Sequence, residues 1–361
     1  MSNTPKISLI MSVYNGESYL AEAIDSVVNQ RFTDWEMIII NDCSTDDTTE
    51  ILQQYAEKDT RIKVHTNEVN LRLPSSLNKA MTFAQGKYIA RMDADDICLP
   101  DRLEKQYAFM EQHPDVALSS CRFMTLKNGV VSSGGCGGKN DADAIKALLL
   151  VTNPILHPGI IAKADVIKAL GYDKDFTCTE DMELWTRFVL NGYTVGILPE
   201  YLMVYRLHDK QITATTLEKQ HKEVIAVQKR YFATLLQPMS EQQETFYING
   251  VYFRNAMDVR AFCAFNKWVR AVNHKTGAMR AENVQYAMLE IFAEYKRNGL
   301  RKADLIKGLL SFDLLFLAKE LPARKKRAQA DGRKCIAAAA TLGLEPVAGT
   351  PEFPIFAKRN V

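Results

Sequence analysis

The sequence has no paired cysteines: Cys43, Cys98, Cys121, Cys136, Cys178, Cys263 and Cys335 all stand singly. That spacing indicates neither a zinc cluster nor a disulfide framework, and it fits a reducing compartment. No uninterrupted apolar run approaches the roughly 18 to 20 residues that span a bilayer. Met1–Lys6 is polar and passes straight into a strand-like segment. A cytoplasmic protein without a signal peptide, soluble or lying at the inner face of the membrane, is therefore expected. Excess charge is also missing, since the formal net charge is only +2, which rules out whole-molecule attraction to nucleic acid. The charge is uneven, however: residues 301–361 carry twelve Lys and Arg against six Asp and Glu. Finally, the first strand-to-helix turn is Val13-Tyr14-Asn15-Gly16-Glu17, which is not the G-x-G-x-x-G that holds a dinucleotide pyrophosphate, and there is no Walker lysine loop. A nucleotide bound at such a turn needs its phosphate charge neutralised another way, and a divalent metal held by carboxylates is the direct means.

What is present is an ordinary globular balance, 47% hydrophobic and 24% charged over 361 residues, enough for two moderate cores. Ile7–Val13 reads as a buried strand, and Glu17–Gln30 as a helix with apolar residues at the helical period. A strand Glu36–Ile40, a helix Asp46–Lys58, a strand Arg61–His65, a helix Ser75–Ala84 ended by Gly86, and a strand Lys87–Met92 follow. Such alternation predicts an α/β fold with a doubly wound, mostly parallel sheet, and ligands in the crevice beyond the strands' carboxyl ends. The glycine-rich stretch Ser132–Gly138 reads as a mobile loop. After about Ile212 helical patterns such as Glu218–Leu236 and Ala303–Leu321 take over, which puts a domain boundary near residue 215.

Three strand ends carry conspicuous polar residues: Tyr14-Asn15, Asn41-Asp42 and Asp93-Ala94-Asp95-Asp96. Three acids within four residues repel one another unless a cation or donors lie between them. Taken alone they are equally a solvated turn that opens a helix; their position after a buried strand, beside two other polar strand ends, favours a site. Tyr14 alone could be a half-buried packing ring. Glu180 and Asp181 open a helix that runs through Trp185 to Asn191-Gly192. They are either ordinary first-turn acids or a catalytic pair, and the helix dipole behind Asp181 is expected to lower its pKa. His208, after the strand-like Tyr201–Leu207, is a surface or core histidine or a metal ligand.

Taken together the segments resemble the large inverting glycosyltransferase family 2, with the GT-A fold. The matching stretches are Ile7–Asn15 with Tyr19-Leu20, Asn41–Asp46, Gly86–Asp96, Asn153–Pro158, Glu180–Trp185 and Leu198–His208. They follow the family's order and spacing over roughly the first 210 residues. The resemblance implies that Tyr14 stacks on the base, that Asp42 accepts the ring N–H of uracil or thymine, and that Glu17 lies near base or ribose. It implies further that Asp93 meets the ribose, Asp95 binds Mn²⁺ or Mg²⁺ across the two phosphates, with His208 as an added ligand, and Asp96 approaches the donor sugar. Asp181 would be the general base; Glu180, Arg91, His157 and Trp185 would contact donor or acceptor.

Ser12 and Cys43 stand where relatives often carry proline and glycine, and no Q-x-x-R-W follows. Processive synthases of the family carry that motif together with membrane spans, so addition of a single residue is expected. The reading is a GT-A nucleotide-sugar and catalytic domain over 1–215 and a helical domain over 216–361. The enzyme would move one sugar from a UDP-sugar, or a dTDP-sugar, to a hydroxyl of a glycan or lipid-linked glycan, as in bacterial cell-surface polysaccharide synthesis. The apolar Ala303–Leu321 before Arg324-Lys325-Lys326-Arg327 fits core packing, a peripheral membrane contact or a homo-oligomer contact. The basic run lacks the interleaved aromatics of a nucleic-acid module. The rivals are a sugar nucleotidyltransferase, which would need a glycine-rich basic first loop, and a non-catalytic nucleotide-sugar-binding module.

Overall fold

The computed structural model describes residues 4–134, 138–208, 217–252, 258–297, 301–350 and 353–358. The boundary expected near residue 215, Cys136 and the centre of the Ser132–Gly138 loop lie outside them. The other six cysteines are free thiols.

β1 (Ile7–Val13), α1 (Leu20–Val28), β2 (Trp35–Asn41), α2 (Thr48–Lys58), β3 (Ile62–Thr66), α3 (Arg72–Phe83) and β4 (Tyr88–Arg91) alternate as the periodicity predicts. β1 pairs in parallel with β2 on one side and β4 on the other, and β2 pairs in parallel with β3. The chain therefore leaves β1 in opposite directions, and this switch opens the ligand crevice at the carboxyl ends of β1 and β4. All seven residues of β2 are buried, which requires both sheet faces to be covered. They are: Leu9, Met11, Val13, Met37 and Ile39 belong to one apolar cluster, Ile10, Ile38 and Ile40 to another. Alternate residues of one strand feed opposite faces. Each fully buried Ile or Leu stabilises the fold by about 1.5–3 kcal/mol. Gly86 lies so close to β1 that a Cβ there would sit 2.6 Å from the Ser8 backbone nitrogen.

β5 (Ile97–Cys98), α4 (Arg102–Gln112), β6 (Val116–Lys127), β7 (Val130–Ser133), α5 (Ala142–Leu148), β8 (Ile161–Lys163), α6 (Ala164–Leu170), α7 (Glu180–Leu190) and β9 (Thr194–Arg206) follow. β8 bridges β4 and β6 in antiparallel fashion, and β9 runs parallel to β6. The remainder is mainly helical: α8 (Leu217–Leu235), α9 (Glu241–Phe246), α10 (Val259–Thr276), α11 (Ala281–Arg297), α12 (Lys302–Leu309) and α13 (Leu314–Thr341).

These helices do not stand apart. Tyr231, Phe232, Phe262 and Phe292 share an apolar cluster with Leu148, Trp185 and Phe188. Two strands that the sequence pattern does not announce, β10 (Leu344–Thr350) and β11 (Phe353–Lys358), extend the sheet through β11 against β7. Asp331 of α13 anchors this end: it is 2.9 Å from Arg122 of β6 and accepts from the Tyr201 hydroxyl of β9 at 2.6 Å. The apolar stretch Ala303–Leu321 is not one helix. It breaks at Leu310–Asp313, where Ser311 caps back onto Gly308 and Asn266 donates to Ser311. No helix among the described residues is long and apolar enough to cross a membrane.

Candidate active site

Three loops meet beyond β1, β2 and β4. Asn15 takes a left-handed conformation (φ 53°), as does Cys43 (φ 65°). Asparagine tolerates this better than most residues, because its short amide can bond locally. The Asn15 side-chain oxygen accepts from the Thr45 N–H at 2.9 Å, and the Asn15 N–H donates to Ser44 Oγ at 3.0 Å. Glu17 joins the same lattice: its N–H donates to Asp46 at 3.1 Å and its carboxylate accepts from the Asp47 N–H at 3.3 Å. This lattice fixes the turn and leaves the Tyr14 ring 53% exposed. Gly16 brings the turn against the β4 loop, where a Cβ would lie 3.8 Å from Ala94.

Asp42 is buried, and its Oδ1 accepts from Asn67 Nδ2 at 2.7 Å and the Leu71 N–H at 2.8 Å. Asn67 is held in turn by Lys79 at 2.6 Å. Oδ1 is thus committed to the protein.

Asp93, Asp95 and Asp96 each offer an oxygen, and these atoms lie within 4.8 Å of one another. Arg91, 1% exposed, grips both oxygens of Asp93 in a bidentate pair. Asp95 accepts from His208 Nε2 at 2.9 Å. Asp96 accepts the Arg206 N–H at 2.9 Å through Oδ1, while its Oδ2 is buried without a hydrogen-bond partner among the described residues. Burial first, then the neighbouring Asp93 and Asp95 charges, push the Asp96 carboxyl well above its usual range. Burial pushes Asp93 up to about 6, against the opposing pull of Arg91. A converging set of hard oxygens with an orphaned buried carboxylate oxygen, whose acids resist ionising together, fits a divalent cation.

Arg206 supports this cluster from the side. Its Nε donates to the Asp95 carbonyl at 2.8 Å, its guanidinium pairs with Glu22, and it lies 4.6 Å from the centre of the Tyr19 ring.

Across the cleft, α7 presents Glu180 and Asp181. The loop before it is tied by Glu223 of α8, which accepts from the Cys178 N–H at 2.9 Å and the Thr179 hydroxyl at 3.1 Å. Asp181 is partly open; its Oδ1 accepts the Met182 N–H at 2.6 Å and its Oδ2 accepts from Asn153 Nδ2 at 2.7 Å. The expected downward shift is corrected here: burial outweighs the helix terminus and these hydrogen bonds, so the Asp181 carboxyl is raised. Charge on Asp181 also raises Asp93, so the two acidic groups feel one another, and the Arg91 charge acts in the opposite direction on both.

Behind this pair, His157 Nε2 lies 2.8 Å from the Tyr172 hydroxyl and Nδ1 lies 3.7 Å from Glu180. Burial and the Arg91 charge hold His157 well below its usual range, and burial raises Tyr172, so a neutral imidazole and a protonated phenol share this hydrogen bond. Trp185 is fully buried, 5.6 Å edge-on to His157. It offers no surface to a ligand and acts as packing behind His157. The cleft of about 410 Å³ lined by Lys267, Arg270 and His274 is remote in sequence from all of these residues.

Burial, then the Asp181 charge, push Glu180 up to about 8 from an ordinary 4.5. Between these values the native state holds a proton that the unfolded chain has lost, so stability falls as pH rises through that window. Glu180→Gln removes the titration. The variant should lose less stability than wild type between about pH 5 and about pH 8, by a few kcal/mol at about 1.4 kcal/mol per unit, read from thermal melts. Equal losses in both proteins would contradict the assignment.

Sequence reasoning passed over Arg206, Asn153, Tyr172, Asn67 and Glu223. Each acts through a partner far along the chain, and only Asn153 and Arg206 fall inside a stretch whose pattern could have pointed to them.

The sequence model of the family described as Glycosyl transferase family 2 matches residues 8–131, and that of Glycosyl transferase family group 2 matches residues 88–222. An uncharacterized glycosyltransferase of Methanocaldococcus jannaschii is 36% identical over 60% of this chain and 76% of its own length. The O-antigen biosynthesis glycosyltransferase WbnJ of Escherichia coli is 35% identical over 58% of this chain and 83% of its own length. Among solved structures, S. aureus TarS 1–349 in complex with UDP-GlcNAc aligns with a TM-score of 0.56 at 19% identity, covering 82% of this chain and 93% of that one. The mannosyltransferase PcManGT of Pyrobaculum calidifontis, in complex with GDP-Man and Mn²⁺, aligns with a TM-score of 0.50 at 16% identity, covering 94% and 87%.

Proposed function

This chain belongs to glycosyltransferase family 2 and has its GT-A fold, and on that premise we propose that it moves one sugar from a UDP-sugar, with inversion, to a hydroxyl of a glycan or lipid-linked glycan. The observation that carries the reading is that the cluster of Asp93, Asp95 and Asp96 lies within electrostatic reach of the Glu180–Asp181 pair, with the buried Arg91 acting on both. WbnJ is named for O-antigen biosynthesis, and we assign this chain likewise to bacterial cell-surface glycan synthesis in the cytoplasm, at the inner membrane face. Residues 1–215 form the donor and catalytic unit in this reading, and 216–361 the part that meets acceptor, membrane surface or a second copy.

Tyr14 stacks on the base, and Asp42 Oδ2 accepts the ring N–H, an edge that uracil shares with thymine, so a dTDP-sugar is the alternative donor. Glu17 holds the turn beneath the base. Asp93, oriented by Arg91, meets the ribose, and Asp96 stands toward the donor sugar. Asp95, joined by His208, would hold Mn²⁺ or Mg²⁺, whose charge offsets that of the departing diphosphate. Asp181 takes the proton of the acceptor hydroxyl as that oxygen attacks the anomeric carbon from the face opposite the diphosphate. A base whose pKa is raised toward neutrality is the stronger one. Glu180 and His157 remain neutral behind it, which keeps a second negative charge away from the incoming oxygen.

The exposed Tyr14 ring gives a direct check. Tyr14→Ala should weaken UDP binding about tenfold, as loss of one base-stacking platform does, with Tyr14→Phe near wild type; calorimetric titration reads both. Inversion is tested by proton NMR of early UDP-sugar hydrolysis, in which water replaces the acceptor. An α-linked donor should release the β-sugar before mutarotation, and first release of the α-sugar would overturn the assignment of Asp181.

A further inference from the structure

Among the described residues eleven large apolar side chains are exposed, and five of them fall within sixteen residues: Ile306 (60%), Leu310 (67%), Leu314 (71%), Leu315 (79%) and Leu321 (46%). Scattered exposed apolar residues need no explanation, but a run of them does. The segment is not loosely attached. Phe312 and Leu317 point into the core, and Asn266 and Arg270 bond Ser311. The corner between α12 and α13 is therefore held rigidly with its leucines outward.

The charge left unpaired in this segment is of one sign. The acids of this segment are engaged: Asp304 with Arg301, Asp313 with Arg270, and Glu320 with Arg327. Lys307, Lys319, Lys325 and Lys326 are exposed and have no ion-pair partner among the described residues. At 100° per residue Leu314, Lys325, Ala318, Leu315, Lys326 and Lys319 share one face of α13.

We propose that this ridge is a docking surface for an anionic lipid bilayer, with Ile306, Leu310, Leu314, Leu315 and Leu321 entering the headgroup boundary and the lysines meeting the lipid phosphates. An apolar ridge flanked by lysines is how an interfacial helix lies on a membrane, and no described helix could span one. A second copy is the poorer occupant, because a two-fold contact would set these unneutralised lysines against one another. This deepens the reading of residues 216–361 as membrane-facing. It would also bring the cleft to a lipid-linked acceptor.

The test is flotation of the full chain with phosphatidylcholine vesicles and with vesicles that also contain phosphatidylglycerol, together with light-scattering mass and lipid-free UDP-sugar hydrolysis on the same samples. Wild type should float only with phosphatidylglycerol. A Leu314→Ser/Leu315→Ser double variant should bind at least about tenfold more weakly, and a Lys319→Gln/Lys325→Gln/Lys326→Gln variant should lose the salt-sensitive part. Both should keep wild-type melting and hydrolysis. Wild type that ignores anionic vesicles, or binding that survives the leucine changes, would overturn the proposal. So would a wild-type dimer that the leucine variant converts to monomer without any lipid binding. Loss of hydrolysis in wild type would fault the donor site instead and leave the vesicle result to be read by itself.

Discussion

Asp181→Asn should lower the rate of sugar transfer about a thousandfold, within the range a positioned general base supplies, while UDP-sugar affinity stays near wild type. The side chain stands at the cleft with both oxygens anchored, Oδ1 by the Met182 N–H and Oδ2 by Asn153. Asparagine keeps the shape and the first of these bonds, and the Asn153 amide can turn to restore the second in exchange for the long bond its oxygen accepts from the Ile155 N–H at 3.2 Å. The fold should therefore melt as wild type does. What disappears is the carboxylate proposed to take a proton from an incoming hydroxyl. Because burial raises the Asp181 carboxyl, wild-type kcat/KM should climb with pH through that ionisation. The limb belongs to the coupled Glu180–Asp181 pair and should be absent from the variant. A variant that retains most of its rate, or that loses donor affinity in proportion, would remove Asp181 from the chemistry.

Asp95→Ala should abolish metal-dependent donor binding and reduce nucleotide release to background, a loss of at least about a thousandfold. Asp95 pairs with His208 and shares a 4.8 Å cluster with Asp93 and Asp96. Its charge helps to raise both neighbours. Its removal in the absence of metal should relieve that repulsion, so thermal stability should be unchanged or higher. Gain of stability with loss of function marks a charge cluster kept for its ligand. Unaltered Mn²⁺ dependence in Asp95→Ala would assign the ion elsewhere.

The first half of the fold was legible because its strands β1, β2 and β4 are buried on both faces and its helices on one, so Ile7–Val13 and Leu20–Val28 announce themselves by composition and period. Ends shifted by a few residues, as at α1, where Glu17 belongs to the turn lattice around Asp46 and Tyr19 is the residue that precedes the helix. The β10–β11 hairpin was not legible. It is an edge addition with Pro346, Gly349 and Pro354 in its strands, and edge strands tolerate residues that a central strand excludes. The helical pattern read over Ala303–Leu321 stops short as well, since α13 runs on through Pro322 to Thr341. The polar strand ends could be read because acids crowded after an apolar strand need a reason. The members that orient them could not, since Arg206 reaches Asp95 over 111 positions and Glu223 reaches Thr179 over 44. The direction of the Asp181 shift was misjudged for a related reason: a helix terminus is visible in sequence, whereas the protein that surrounds a carboxylate is not.

The measurement that bears most directly on the account is nucleotide release by the purified full chain from UDP-, dTDP- and GDP-sugars, with Mn²⁺, with Mg²⁺ and with EDTA, alongside nucleotide-sugar binding in the same samples. The account predicts slow, metal-dependent release of UDP, or of dTDP, from one sugar donor, lost on chelation. Absence of binding to every nucleotide sugar, with metal or without, would contradict it at its centre.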